Sequence, residues 1–491
     1  MRTFRYAWLL LLCIVASCGR QTVEDNLLPI VRKALSDTAS VHYVDFSTVA
    51  VDASMSIGIF DDDLSGLNVL EAFLVADHFN NITGKPGADG IQDFAGEHFL
   101  YLADVANANY NEYVKRGNLD FLRESVVRDA LFLLDDAYYN QTLDAEPYGV
   151  KQPAKLLVCA DAAATTFGLS DVESLVKQTT LNVPVYGVVD AAVLRFLNLV
   201  RELPEAAIGI LADPSVVDGG FYENSIRKLS AAEEYTGSIR ICNQRTLGLS
   251  MFQQPDSATT IFRDAETVLP EGFVLPELGF GEGKIDLTLM DRYNFDFSNG
   301  AMSYRLQNDY YSELRINSAE NLLRYYLVSL VEKYRKQANG KPLQAIVVAC
   351  PHSATMMAVL EETMATLRSY KRNGVFLYQD VIAENFCFID PASEVARVAY
   401  ESLRNQRRLA LRAHSSSVEA YLTLPSYGTP VEVLLQDGML EEGYRYGRPA
   451  GAELITTKPV QMAYRYLSLA DLEHVQLIAP SAYKLIVNRL Y

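Results

Sequence analysis

Side chains that can carry or bind a proton lie at the end of, or just after, three short apolar runs of this sequence, at residues 56–60, 155–160 and 345–350. These side chains are Asp61, Asp62, Cys159, Asp161, Cys350 and His352. A thiolate or a carboxylate can accept a proton, and a neutral thiol or imidazolium can donate one. The residue types therefore indicate proton transfer or the binding of a charged ligand.

The apolar runs are typical of buried strands, and amphipathic helical patterns separate them. The predicted strands are residues 56–60, 99–103, 155–160, 183–189, 207–211, 345–350 and 386–389, and the predicted helices are 120–136, 170–178, 191–201, 319–337 and 354–369. Such alternation predicts an α/β fold with largely parallel sheets flanked by helices. Ligands bind such sheets outside the carboxyl ends of the strands, so we expect the groups above to face that edge.

Two stretches of the sequence repeat. Residues 158–165 (VCADAAAT) align without gaps on 348–355 (VACPHSAT), and the IGI of 57–59 recurs at 208–210. The repeats predict two pseudo-symmetric lobes with a cleft between them, and the match places Ala160 opposite Cys350. The wider spacing in the second half predicts an insertion.

These features divide the chain into predicted parts. They are a signal peptide (1–17), a tether and N-terminal segment (18–50), lobe 1 (51–200 with about 376–430), lobe 2 (201–375, with an insertion at about 254–317) and a C-terminal extension (431–491).

The N-terminus has a basic start, an apolar run at 7–15 and small residues before Cys18. This run is too short to span a bilayer and is typical of a signal peptide. Residues 15–18 (VASC) resemble a bacterial lipobox, which implies lipid on the Cys18 thiol. Two or more acyl chains anchor a protein stably. We expect a cell-envelope protein held to a membrane, with the outer membrane favoured; an ordinary secretory signal is the alternative.

Composition excludes some classes of partner. The formal net charge of −18 argues against nucleic acid and anionic lipid headgroups. With 49% hydrophobic residues, the chain can bury one large or two medium cores. No His, Cys or Asp spacing indicates a metal site, and we expect no cofactor. The cysteines after Cys18 could form disulfides or serve as small buried residues.

Several segments, in the same order, resemble the aspartate/glutamate racemase family. They are residues 57–67 (IGIFDDDLSGL, near G-I-F-D-S-G-x-G-G-L), 101–111, 158–163, 183–188, 208–226, 241–243, 348–352 (VACPH, near G-C-T-H) and 388–392 (FIDPA). This resemblance implies the two-lobed fold and an isomerase that needs no cofactor. In that family two cysteines face each other across the amino-acid substrate, one as base and one as acid.

The resemblance implies a site that has lost one of its two thiols. Cys350, His352 and Asp61 take the catalytic positions, whereas Ala160 takes the place of the first cysteine. Cys159 is adjacent, and it faces away from the cleft unless the turn slips by one residue. The implied substrate-binding positions are held by Asp62, Tyr110, Asn111, Asp161 and Ala162, and Pro351 replaces a threonine.

Each retained side chain also has a structural interpretation. Cys350 could be a small core residue, His352 could cap a helix, and Tyr110 could pack between the lobes. Asp62 could accept hydrogen bonds from helix N–H groups.

Three hypotheses follow from these positions. The first is an envelope protein that keeps the fold and acts by binding a small molecule or other envelope proteins. The second is an enzyme with one working thiol, Cys350, as in arylmalonate decarboxylases. The third is racemisation through Cys159 and Cys350.

Overall fold

The computed structural model describes residues 27–249, 275–281, 283–350, 354–410, 415–452 and 455–490. The predicted signal peptide, Cys18, Pro351 and His352 lie outside these residues. None of the described helices is both long and apolar enough to cross a membrane.

Ten strands, defined in chain order, build the two main sheets. They are β1 (Ser56–Asp61), β2 (His98–Ala103), β3 (Ala154–Cys159), β4 (Val185–Gly187), β5 (Glu205–Ala212), β6 (Ser238–Arg245), β7 (Leu343–Ala349), β8 (Ile382–Ile389), β9 (Ser417–Pro425) and β10 (Thr457–Gln461). Sheet 1 has the order β10-β9-β2-β1-β3-β4, and sheet 2 has the order β8-β7-β5-β6. Every pair is parallel except β9 with β10. The predicted α/β class with two mostly parallel sheets is confirmed.

Helices cover both faces of the sheets, as parallel sheets require. They are α1 (Pro29–Ser36), α2 (Leu67–Val75), α3 (Tyr110–Arg116), α4 (Leu119–Leu134), α5 (Ala162–Phe167), α6 (Leu169–Gln178), α7 (Val188–Leu199), α8 (Pro214–Asp218), α9 (Phe221–Ala232), α10 (Met290–Tyr293), α11 (Ala319–Arg335), α12 (Ala354–Ser369), α13 (Pro391–Asn405), α14 (Glu442–Gly447), α15 (Leu469–Ile478) and α16 (Pro480–Val487). Side-chain caps begin several of them: Asn109 for α3, Asp161 for α5, Ser318 for α11 and Asp390 for α13.

The core has three parts. Helices α2, α7 and α13 lie in the inner part, which contains inward side chains of both sheets, such as Ile57, Val158, Ile208 and Val347. The outer face of sheet 1 packs on α4, α5 and α6. The outer face of sheet 2 packs on α11 and α12. Side chains of one strand alternate between an outer part and the inner part, so a shift of one residue exchanges the two faces.

The two sheets share a strand register around their central strands. Ile59 of β1 pairs with Val158 of β3, and Ile210 of β5 pairs with Val347 of β7. When the IGI repeats at 57–59 and 208–210 are superposed, Val158 therefore corresponds to Val347. This register differs by one residue from the gapless repeat, which matches Val158 with Val348. The two differ because a gapless sequence match counts residues along the chain, whereas the register depends on which residues of neighbouring strands pair.

The sheets change two of the predicted boundaries. Strand β8 pairs with β7, so it belongs to lobe 2 and not to lobe 1 as the sequence predicts. The chain returns to lobe 1 with β9, which pairs with β2. Strand β10, in the predicted C-terminal extension, completes the edge of sheet 1. Helix α16 packs on α2, so this extension is part of lobe 1.

The described part of the predicted insertion forms small elements beside sheet 2. Glu277–Leu278 pairs with Lys284–Ile285, and Met302–Gln307 forms an antiparallel hairpin with Tyr310–Ile316. Ile285, Tyr293 and Ile316 are buried in the outer core of sheet 2.

Candidate functional site

Strand β1 delivers three consecutive carboxyl groups to the carboxyl edge of sheet 1. Asp61 and Asp62 are buried, at 3% and 7% exposure, whereas Asp63 is exposed. Ser65 Oγ donates to Asp61 Oδ2 over 3.3 Å. A Cβ at Gly66 would lie 2.5 Å from the Asp61 carboxylate, so only glycine leaves room for this close approach.

Asp161 brings a fourth carboxyl group to the same edge, from the end of β3. Its Oδ1 accepts a hydrogen bond from Ala164 N over 2.6 Å and so caps α5. Burial raises its pKa to about 6, and the charge of Asp63 adds to the shift. The pKa values of Asp61 and Asp62 lie well above the usual range because both are buried and the neighbouring carboxylates, Asp161 among them, repel their charge. The predicted acidic positions therefore do come together.

Carboxylates at this spacing are also the ligands that hard divalent cations use. Oxygens of Asp61, Asp62 and Asp63 lie within 4.8 Å of one another. Two of these carboxylates, Asp62 and Asp63, already accept backbone hydrogen bonds. Asp62 Oδ2 accepts from Tyr110 N over 2.7 Å, and Asp63 Oδ1 accepts from Ser65 N over 2.7 Å. Asp63 therefore caps the turn that follows β1, and Asp62 binds the first N–H group of α3. The cluster by itself does not indicate a metal.

The Tyr110 hydroxyl lies inside lobe 1 and not in the cleft. Its ring is fully buried, and its oxygen lies 2.6 Å from Asp104 Oδ2 and 2.7 Å from Asp129 Oδ2. A phenol has one proton to donate, so the second contact requires a proton on a carboxyl group. Burial raises the pKa values of both carboxyl groups, and repulsion between Asp104 and Asp129 adds to the shift, so the pair can hold the proton that the second contact needs. The predicted substrate contact of Tyr110 is thus replaced by a structural network.

This network of hydrogen bonds was not predicted from the sequence. Asp104 also accepts from Thr423 Oγ1 over 2.7 Å and from Asn107 Nδ2 over 2.8 Å. Asp104 directly follows β2, and that position could have identified it. Asp129 lies in the middle of α4, where sequence alone predicts an exposed residue.

Cys159 faces away from the inner core, as its position in the strand predicts. It is fully buried in the outer core of sheet 1, with Leu157 on the same side, whereas Ala160 packs against the inner core. The Cys159 thiol lies 3.5 Å from the carbonyl oxygen of Asp161. Burial raises its pKa well above the ordinary value, and Asp161 adds to the shift. A buried neutral thiol of this kind is a poor base.

Cys350 lies at the carboxyl edge of sheet 2, in the outer core, at 5% exposure. Burial raises its pKa well above the ordinary value, and the charge of Asp213 is the next cause. Thr246 Oγ1 donates to Asp213 Oδ1 over 3.2 Å, and burial raises the pKa of Asp213 to about 6. Asp390 contributes a second nearby carboxyl group. Asp213 and Asp390 were not predicted as site residues, although each directly follows a strand.

The strand register also revises the residue opposite Cys350. Because Val158 corresponds to Val347, Asp161 corresponds to Cys350 and Ala160 corresponds to Ala349. Ala160 and Ala349 both pack against the inner core, in agreement with this register. A carboxyl group therefore takes the place in sheet 1 that the thiol takes in sheet 2.

The remaining predicted positions have less defined roles. Ala162 begins α5 and is half-buried. Asn111 is half-buried in the first turn of α3, and its Oδ1 is buried without a hydrogen-bond partner among the described residues. His352 lies outside the described residues. Of the four cysteines after Cys18, Cys159, Cys242 and Cys350 are buried and Cys387 is half-buried, which agrees with their interpretation as small core residues.

No protein-family profile and no curated protein matches the chain. Solved structures are similar to it, among them enzymes from Francisella tularensis, in complex with D-glutamate, from Campylobacter jejuni, and from Thermus thermophilus, in complex with β-chloro-D-alanine. All three are glutamate racemases. Their identities to the chain are 17%, 16% and 15%, with TM-scores of 0.38, 0.33 and 0.34. The matches cover 75%, 77% and 75% of this chain and 88%, 94% and 88% of the racemases.

Similarity at this level does not transfer the chemistry of the racemases to this chain. The roles of Asp161 and Cys350 rest on the strand register and the burial of these residues in this chain.

Proposed function

We propose that this chain is a lipid-anchored protein of the bacterial envelope that binds a ligand between its lobes and does not racemise amino acids. One observation carries the proposal: the strand register sets a carboxyl group, Asp161, where a second thiol would have to face Cys350. Racemisation without a cofactor needs a base on one face of Cα and an acid on the other. Cys159 does not supply the missing thiol, because it lies in the outer core.

The charges at the edge of sheet 1 support a change of ligand. Asp61, Asp62 and Asp161 repel one another, and a dicarboxylate such as glutamate would add like charges beside them. Among the described residues, no arginine or lysine is one of the main causes of the pKa shifts of these three groups. A glutamate side chain would therefore find repulsion here.

The decisive experiment follows exchange at Cα. The full chain is incubated with D- and L-amino acids in D₂O under reducing conditions, and deuterium incorporation is followed by NMR, with Cys350→Ala as the matched control. We expect no exchange above that of the control. Exchange that Cys350→Ala abolishes would overturn the proposal, because it would identify a working thiol.

A single-thiol enzyme is the second candidate, and one observation favours it. Burial keeps the Cys350 thiol protonated at neutral pH, which is the form that donates a proton to a carbanion. An arylmalonate carries two carboxylates, however, so the acidic edge of sheet 1 opposes its binding. Release of CO₂ from phenylmalonate that is lost in Cys350→Ala would support this candidate, and its absence would exclude that substrate.

The membrane anchor rests on the lipobox-like residues before Cys18. Cys18→Ala should move the protein from the membrane fraction to the soluble fraction of the cell envelope. Unchanged membrane association would contradict the anchor. Other envelope proteins are proposed as partners on the same ground of location, and cross-linking in intact cells would test them.

A further inference from the structure

A cavity of about 340 Å³ lies between helix α4 and the C-terminal segment that contains α14. Its walls include Phe121, Arg128, Tyr444, Gly447, Arg448 and Thr456. Its volume falls in the range of small-molecule sites. The cavity lies on the outer side of lobe 1, and it contains none of the groups at the carboxyl edges of the sheets.

Two arginines, Arg128 and Arg448, line this cavity. Arg128 pairs with Glu124, and its Nε is buried without an acceptor among the described residues. Arg448 is 5% exposed and makes no ion pair within 4 Å among the described residues. The described groups that accept hydrogen bonds from Arg448 are neutral: Arg445 O, Thr456 Oγ1, Asn107 Oδ1 and Tyr113 Oη.

This arrangement favours an anion. Asp104 lies near enough for its charge to interact with that of Arg448, but Arg448 donates its described hydrogen bonds to neutral acceptors. The cost of burying this guanidinium is therefore only partly offset, because burial removes the water that stabilises its charge. The planar donors of arginine match the two oxygens of a carboxylate.

The rest of the cavity suits a flat apolar group. The guanidinium carbons of Arg448 and Arg128 lie 4.5 Å and 5.5 Å from the centre of the Phe121 ring, and Arg448 also lies 5.8 Å from that of Tyr444. Gly447 has a free approach, because a Cβ built there would meet no atom within 4 Å. Its φ is not positive, so a larger residue can adopt the same backbone.

We propose that this cavity binds a small aromatic carboxylate. The carboxylate of this ligand contacts the guanidinium groups of Arg128 and Arg448. Its aromatic ring lies against Tyr444 and against α14 at Gly447, where no side chain is in the way. This site is independent of the proposed cleft function, because it shares no residue with Asp61, Asp161 or Cys350.

The test uses isothermal titration of the full chain with 2-naphthoate and with its neutral counterpart 2-naphthamide. We expect the amide to bind at least about tenfold more weakly than the carboxylate. A loss of this size corresponds to one charge-assisted hydrogen-bond pair. Equal binding of the two compounds, or no binding of 2-naphthoate at millimolar concentration, would overturn the proposal.

Three variants locate the site. Gly447→Leu fills the cavity and should abolish binding, whereas Gln476→Leu places the same side chain on exposed α15 and should leave binding unchanged. Arg128→Met together with Glu124→Gln removes a charge pair without leaving a buried carboxylate and should weaken 2-naphthoate but not 2-naphthamide. Thermal unfolding by circular dichroism checks that each variant folds. A folded Gly447→Leu protein that still binds 2-naphthoate would refute the site.

Discussion

The two sheets are built alike but end in different chemistry at their carboxyl edges. In the shared register, Asp62 corresponds to Asp213, Asp104 to Thr246, Asp161 to Cys350, Gly187 to Asp390 and Asp61 to Ala212. At three of these positions sheet 1 has a carboxyl group where sheet 2 has a thiol, a hydroxyl or a methyl group. Both sheets have a carboxyl group at the Asp62 position, and sheet 2 alone has one opposite Gly187. A racemase of the two-thiol kind needs matching groups on both sides, so this asymmetry argues for binding.

The amino-terminal edges of the two sheets also differ in charge. Lys155 in β3 forms a buried ion pair with Glu97, with 2.6 Å between Nζ and Oε2. The corresponding residue of β7 is Gln344, whose Oε1 accepts from Ala207 N over 2.6 Å. The same position is therefore charged in sheet 1 and neutral in sheet 2.

The largest expected effect comes from breaking this charged pair. Lys155→Met leaves the Glu97 carboxylate buried without its ammonium partner, and should lower the free energy of unfolding by about 3 to 5 kcal/mol. Gln344→Met leaves only the Ala207 N–H without its acceptor, and should cost about 1 to 3 kcal/mol. Urea unfolding measures both. Equal losses, or a Lys155→Met loss that Glu97→Leu does not largely restore, would contradict the contrast between the two edges.

A smaller effect is expected from the acids at the carboxyl edges. The pKa values of Asp161 and Asp213 are both raised to about 6, so the folded chain holds these protons to a higher pH than the unfolded chain does. The free energy of unfolding should therefore fall as pH rises from about 4 to above 6. Asp161→Asn and Asp213→Asn should each reduce that fall by about 1 to 3 kcal/mol.

Asparagine keeps the acceptor that caps α5, so Asp161→Asn tests the charge and not the cap. Unfolding followed at a series of pH values measures the slope. Asp161 has more charged neighbours than Asp213, so its variant should change the slope more. The reverse order would show that the carboxyl groups of sheet 1 are less coupled than their positions indicate.

The smallest effect concerns the thiols. Alkylation by iodoacetamide requires a thiolate, and burial raises the pKa of Cys159 and Cys350 well above that of a free cysteine. Both should react roughly tenfold or more slowly than the half-buried Cys387 at pH 8. Peptide mass spectrometry gives the order. A Cys350 that reacts as fast as Cys387 would indicate an open thiolate and would favour the enzymatic alternative.

Several polar residues at the ends of the strands were predictable from the sequence. Asp61, Asp62, Asp161 and Cys350 were identified because polar residues directly after apolar strand patterns face one edge of a parallel sheet. The carboxyl groups that bind the Tyr110 hydroxyl were not predictable from the sequence. Asp129 lies in the middle of a helix, and only tertiary packing brings it next to Tyr110. The side of Cys159 followed from strand alternation.

Other features depended on which strands are neighbours. Strand β8 was assigned to lobe 1 because its place in the chain does not reveal its partner, and the hydrogen bonds to β7 place it in lobe 2. The match of Ala160 with Cys350 was off by one residue for a related reason: a gapless alignment counts residues, whereas strand pairing sets the register.

By itself, the sequence determined the α/β class, the two-lobed repeat and the residue types that end the strands, because these follow from hydrophobic periodicity and turn chemistry along the chain. Only the tertiary structure decided which strand lies beside which, and hence that Asp161 corresponds to Cys350. It also decided that Tyr110 is held by two buried carboxyl groups. The physical reason is that register, burial and charge coupling arise between segments far apart in sequence, and no local pattern records them.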